Sequence, residues 1–116
     1  MKSILFTLTI FLVIAANKCR KENLPQIPAC IQSKIDAIKN EPSFNPPAVV
    51  KEYNYAGRRV FYFSSDCCDQ YDMVVDENCN AVCAPSGGIT GKGDGKCADF
   101  FEIAREVGVV WRDSEP

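Results

Sequence analysis

The sequence predicts a small α+β domain: an antiparallel sheet of four to five strands, stapled by disulfides, with an N-terminal and a C-terminal helix. Three observations predict it. Seven cysteines stand in 116 residues without a single histidine, and six of them (Cys30, Cys67, Cys68, Cys79, Cys83 and Cys97) fall in a stretch of globular composition. In an oxidising compartment such cysteines become crosslinks. β-Branched and aromatic runs recur between residues 49 and 84, broken by Gly, Asn and Asp turns, which is hairpin patterning. Segments on either side of those runs carry apolar residues at helical spacing.

The chain opens Met1-Lys2-Ser3 and continues through about thirteen mostly apolar residues to Ala16, the order of a secretory signal peptide spanning 1–18. The run is shorter than the roughly 20 apolar residues a membrane-spanning helix needs. Cys19 follows directly. A cysteine in that place resembles a bacterial lipoprotein signal, which implies lipidation of Cys19 and attachment to a membrane through the acyl groups. Lys18 departs from the small residue such signals carry before the cysteine. Cleavage after Ala15 or Ala16, leaving Cys19 as a thiol, is the competing outcome. Cysteine parity favours the lipid, because the remaining six cysteines then pair evenly. Residues 19–26 form a polar tether and 27–116 a single domain; about 98 residues suffice for one domain and not two. Losing Lys2 and Lys18 takes the net charge from −2 to about −4. With no basic run, nucleic acid is an unsuitable partner.

Each element has its own signal. Ile27, Ile31, Ile35 and Ile38 fall on one helical face over 27–40, with Pro28 in the first turn, where its missing N–H costs nothing. Glu41-Pro42 ends that helix. Residues 49–55 and 58–64 flank Ala56-Gly57 and form one hairpin; 71–75 and 81–84 flank Asp76-Glu77-Asn78-Cys79-Asn80 and form a second. Residues 97–106 are expected to be helical, with Ala98, Phe101, Ile103 and Ala104 inward and Gly108 as the stop. Val109-Val110-Trp111 makes a last short strand. Both helices are expected on one face of the sheet.

The cysteines limit their own pairing. Adjacent Cys67 and Cys68 are poorly placed to bond to each other. Cys79 and Cys83, four apart in an extended strand, are separated by about 13 Å, beyond bonding reach. These two exclusions leave about 10 of the 15 connectivities open to six cysteines. A zinc site would require paired C-x2-C knuckles or histidines, and neither is present.

Two further patterns invite stronger readings. Residues 85–96, Pro-Ser-Gly-Gly-Ile-Thr-Gly-Lys-Gly-Asp-Gly-Lys, hold five glycines in twelve residues. No phosphate-loop spacing fits: before Gly91-Lys92 the required glycine is Ser86, and before Gly95-Lys96 it is Thr90. The segment is then either a wide turn folded back on the sheet beneath Trp111, or a loop displaying Ile89, Thr90, Lys92 and Asp94 to a partner. Cys83 and Cys97 flank it in position to fix its ends. Asp76-x-Asn78-x-Asn80 imitates the start of a calcium loop, but Ala81 replaces the glycine and Gly87 the glutamate that loop requires. Hairpin-turn chemistry accounts for those residues without a metal, and no cofactor is implied.

Taken together, the Ile27-Pro28-x-Cys30 helix, Tyr53-x-Tyr55-x-Gly57, Cys67-Cys68-Asp69, Val82-Cys83-Ala84-Pro85, Gly87-Gly88-x-x-Gly91-x-Gly93-Asp94-Gly95-x-Cys97 and Val110-Trp111-Arg112-Asp113 resemble a family of small secreted or lipoprotein-like Bacteroidota proteins of unknown function. The resemblance implies an envelope location and brings no activity. The expected function is an exported, lipid-anchored or secreted cell-envelope module. It would bind an envelope or extracellular protein or glycan through the 85–96 loop. A protease inhibitor is one variant of that reading. A small histidine-independent envelope enzyme is the alternative class, and no catalytic residue is assigned.

Overall fold

The computed structural model describes residues 26–67 and 69–114. The expected signal peptide, Cys19 and nearly all of the tether lie outside the described residues, as does Cys68.

Helix α1 spans Ala29–Lys39. Pro28 stands at its N-cap in extended geometry, and the Pro28 carbonyl accepts the Gln32 N–H at 3.0 Å. Ile31 and Ile35 are buried and Ile38 partly so, as the spacing requires. The chain leaves the helix at Asn40, whose N–H reaches back to the Ala37 carbonyl at 3.2 Å.

Five strands follow: β1 Val49–Tyr55, β2 Arg58–Phe63, β3 Tyr71–Asp76, β4 Ala81–Gly87 and β5 Arg105–Arg112, with the four-residue helix α2, Phe100–Ile103, between the last two. The sheet order is β4-β3-β2-β1-β5 and every neighbouring pair is antiparallel. The β1–β2 turn sets Ala56 and Gly57 at φ 51° and 77°. That is the left-handed pair a two-residue hairpin needs to follow the strand twist. In the β3–β4 turn the Asp76 carboxylate accepts the backbone N–H groups of Asn78 and Asn80, both at 2.9 Å, and the Asn80 side-chain amide at 3.2 Å. The calcium-like Asp-x-Asn-x-Asn pattern is thus a hairpin turn closed by its own side chain.

The register divides the apolar residues between two faces. Val50, Phe61, Phe63 and Val75 lie on one face with Ile31 and Ile35 of α1, and Val110 and Trp111 pack at its margin. Tyr53, Val60 and Val74 lie on the other with Cys83, Cys97 and Phe100. The two helices therefore cover opposite faces, not one. The cause can be seen in β2. Val60-Phe61-Tyr62-Phe63 is apolar at both parities, so neither face of the central strand can be given to water.

The C-terminal helix is the second correction. Only four residues of the expected 97–106 helix are helical, and Arg105 and Glu106 already belong to an eight-residue β5 that runs through Gly108. The inward residue of α2 is Phe100, fully buried; Phe101 and Ile103 are more than half exposed. Pairing of β5 with β1 from Val49↔Arg112 to Asn54↔Arg105 outweighs the short-range helical preference.

Two disulfides are described. Cys30–Cys79 ties the first turn of α1 to the β3–β4 turn, with Cα atoms 6.1 Å apart; Cys83–Cys97 ties β4 to the segment entering α2, at 6.0 Å. Cys67 is also disulfide-bonded, its partner lying outside the described residues. At the N-terminal end of α1, Arg59 makes a two-pronged pair with Glu52, at 2.6 and 3.3 Å, and donates to the Gln26 carbonyl at 3.1 Å. Glu52 and Arg59 share the face that α1 covers, so this clasp fastens the start of the domain to the β1–β2 hairpin. The pair raises the Arg59 pKa, chiefly through the hydrogen bond to Glu52.

Candidate functional site

The glycine-rich segment is less of a loop than its composition suggests. Pro85, Ser86 and Gly87 are strand residues that extend β4 along β3, with Ser86 opposite Asp72 and Gly87 opposite Tyr71. A proline is admissible there because β4 is an edge strand. The irregular part is 88–96, and it turns back along β4. Gly93 N–H donates to the Gly87 carbonyl at 3.0 Å and Asp94 N–H to the Ala84 carbonyl at 2.9 Å. Gly88 N–H reaches the Gln70 carbonyl at 2.9 Å. The segment thus covers the outer edge of the sheet with its own backbone. It does not lie under Trp111, which belongs to the face that α1 covers and to the β5 side of the sheet, opposite β4.

Close approach explains two of the glycines. A Cβ at Gly87 would strike the Gln70 carbonyl oxygen, and one at Gly93 the Ala84 carbonyl oxygen; both residues also have φ above 70°. Gly93 is where the returning chain touches β4, and no side chain fits between them.

Ile89 is 90% exposed at the outer bend. Thr90 and Lys92 are exposed beside it, with the Thr90 hydroxyl accepting the Lys92 N–H at 3.3 Å. Asp94 accepts the Lys96 N–H at 3.0 Å. That backbone hydrogen bond is the main cause holding its carboxyl below the ordinary carboxylate range. Thr90 and Asp94 therefore shape the turn, while Ile89 and Lys92 point to solvent. Ile89 and Thr90 share a shallow depression of about 510 Å³ with Asp69, Tyr71, Gly88 and Gly93. Tyr71 is 48% exposed. No local sequence signal joins Tyr71 and Asp69 to this loop. Only the extension of β4 through Gly87 carries the loop over the start of β3.

Beneath the loop lies a polar knot. Asp72 accepts the Ser65 N–H at 2.7 Å, the Ser65 hydroxyl at 2.8 Å and the Ser86 hydroxyl at 2.7 Å. The Tyr62 and Ser86 hydroxyl oxygens are 3.4 Å apart. Partial burial works to raise the Asp72 pKa, but these hydrogen bonds outweigh it and hold the carboxyl below its usual value. The knot joins β2, β3, β4 and the 64–66 connector, and so fixes the platform under the loop. Because the folded pKa is depressed, its stabilisation is complete above the unfolded value of about 4 and is lost as pH falls through the folded value. Asp72→Ala is expected to destabilise the domain by about 2 kcal/mol at pH 7, leaving three donors without their acceptor. The gap from wild type should close as melts are repeated from pH 4 down to pH 2. A constant gap across that range would show that the carboxylate charge contributes nothing.

On the other face a groove of about 310 Å³ runs between the C-terminal half of α1 and the β2–β3 connector, floored by Ile38, Phe44, Phe63 and Met73. Lys34 lies over the Phe63 ring at its rim, 5.7 Å from the centroid. Among the described residues, no three Cys, Asp or Glu side chains stand close enough together to hold a metal ion. No described helix is long and apolar enough to cross a membrane.

Fold and site together define a small disulfide-crosslinked five-stranded module that carries an ordered, backbone-tied loop on one edge. The family described as a domain of unknown function (DUF6970) matches residues 36–113. The chain belongs to that family. No curated protein and no solved structure matches it.

Proposed function

We propose that the protein is an exported cell-envelope module, lipid-anchored through Cys19 or secreted, that binds an envelope or extracellular protein or glycan at the bend of its 88–96 loop. One observation carries this reading: Ile89, a large aliphatic side chain, is 90% exposed on a segment held at both ends by the Cys83–Cys97 bond and along its length by β4 and β3. Exposing isoleucine is unfavourable in a free monomer, and ordering glycines is costly in entropy. A loop already ordered avoids that entropy at the moment of binding. Tyr71 beside it adds an aromatic surface of the kind that recurs in binding hot spots. Among the described carboxylates whose pKa is displaced, Asp72, Asp76 and Asp94 are all displaced downward, and none of these three has the raised value that a general acid needs. A protease inhibitor is the narrower form of the same reading.

Replacing Ile89 and Lys92 together by alanine is expected to leave the melting temperature within about 2 °C, since both side chains face solvent. A photo-crosslinking residue at position 89 in cells should give a discrete adduct, and one at Arg58, beside the β3–β4 turn at the other end of the sheet, should not. If the double variant unfolds the domain, the loop is structural. If position 89 yields no adduct, or the same adducts as position 58, this surface binds nothing.

A further inference from the structure

The two edges of the sheet are treated differently. The β4 edge is covered by the returning loop through Gly93 N–H to Gly87 and Asp94 N–H to Ala84. At the other side β5 ends the strand order and has only β1 as a neighbour. Its outer side presents a row of backbone donors and acceptors over eight residues. Val107 and Val109 of this strand are 59% and 50% exposed.

We propose that β5 pairs antiparallel with β5 of a second copy of this chain, about a two-fold axis at Val109, joining the two five-stranded sheets into one. The charges select the partner and the register. The strand reads Arg105-Glu106 at one end and Arg112, followed by Asp113, at the other. Centred on Val109, antiparallel pairing sets Arg105 opposite Asp113 and Glu106 opposite Arg112, and two-fold symmetry repeats both. Every charged residue of the strand then faces an opposite charge. A slip of one residue would turn the side chains to the wrong face, so the nearest alternative registers lie two residues away, and in both of them all four opposite-charge pairs are lost.

β1 sets where the charged residues of β5 stand. Its pairing with β1 has two irregularities, one on each side of the regular Lys51↔Val109 and Glu52↔Gly108 pairs. The charged residues stand at paired positions: Arg105 opposite Asn54, Glu106 opposite Tyr53 and Arg112 opposite Val49. Asp113 N–H is held by the Ala48 carbonyl at 2.8 Å. The backbones of all four are therefore held, three by β1 and Asp113 by Ala48, before a second copy arrives. Glu106 Oε1 lies 3.1 Å from Lys51 Nζ in its own chain, and in the dimer the same carboxylate also faces Arg112 of the other copy. Val109 meets its own copy at the axis and removes exposed apolar surface there.

Sedimentation velocity of the purified, oxidised chain over a concentration series tests this. The wild type should pass from monomer to dimer and no further. Arg105→Asp alone and Asp113→Arg alone should each weaken self-association by about tenfold or more, because each sets two like-charged pairs across the axis. An equimolar mixture of the two should recover wild-type affinity, since the mixed dimer restores opposite charges at every position. Val109→Asp, at an exposed site that does not threaten the fold, should also be monomeric with an unchanged circular dichroism spectrum. A wild type that stays monomeric throughout overturns the proposal. So does either charge variant that dimerises like wild type, or a mixture that stays monomeric.

Discussion

Replacing Cys30 and Cys79 together by alanine is expected to lower the unfolding free energy by about 4 kcal/mol, the larger effect of the two described disulfides. The cause is the unfolded chain. The bond closes a segment of 49 residues, against 14 for Cys83–Cys97, where the same reasoning gives about 3 kcal/mol. The two losses should differ in kind as well as size. Without Cys30–Cys79, α1 rests on Ile31, Ile35 and the Arg59 clasp, so hydrogen exchange should rise throughout the helix while the 88–96 loop stays protected. Without Cys83–Cys97 the pattern should reverse, and loop contacts should fail while α1 holds. Denaturant unfolding with residue-resolved exchange measures both. Equal exchange patterns in the two variants would mean that the domain opens only as a unit.

The second large effect concerns two adjacent phenylalanines. Phe100→Ala should cost about 4 kcal/mol and Phe101→Ala less than about 1 kcal/mol. Phe100 is fully buried and packs against Tyr53 and Tyr55 with ring centroids 5.0 and 5.1 Å away. Phe101 is 57% exposed and meets Tyr62 only edge-on at 6.1 Å. Emptying the Phe100 site removes the plug between α2 and its face of the sheet, so the protein should lose most of its stability yet keep its disulfides. Thermal melts of the two single variants decide the matter; comparable losses would mean that both rings seal the face.

That pair also marks where sequence reading reached its limit. The isoleucine spacing of α1, both hairpins and their turns were legible, because each signal lies within a few residues. Residues 97–106 were not. Ala98, Phe101, Ile103 and Ala104 carry a helical period, but Arg105–Arg112 gains more from pairing with β1, a partner about fifty residues away. The helix is cut short, and its inward face shifts to Phe100. In the same way Pro85, Ser86 and Gly87 read as loop punctuation, yet on an edge strand they continue the ladder. The helices were expected on one face although β2 is apolar at both parities, a pattern that itself called for cover on two sides. For the candidate site, Ile89 and Lys92 were readable as displayed residues. Tyr71 and Asp69 joined them only through the fold.

The covered β4 edge sets a limit on growth. A filament of stacked sheets needs every subunit to offer two bondable sides, one for the neighbour ahead and one for the neighbour behind. Here the chain has folded one of those sides shut with its own backbone. Whatever adds to the remaining side ends the series, so the protein can be held at high local concentration without seeding fibres. The glycines that let residues 88–96 lie flat are in that sense a terminator. A side chain at Gly93, by lifting the segment off β4, would turn a closed assembly into an open one.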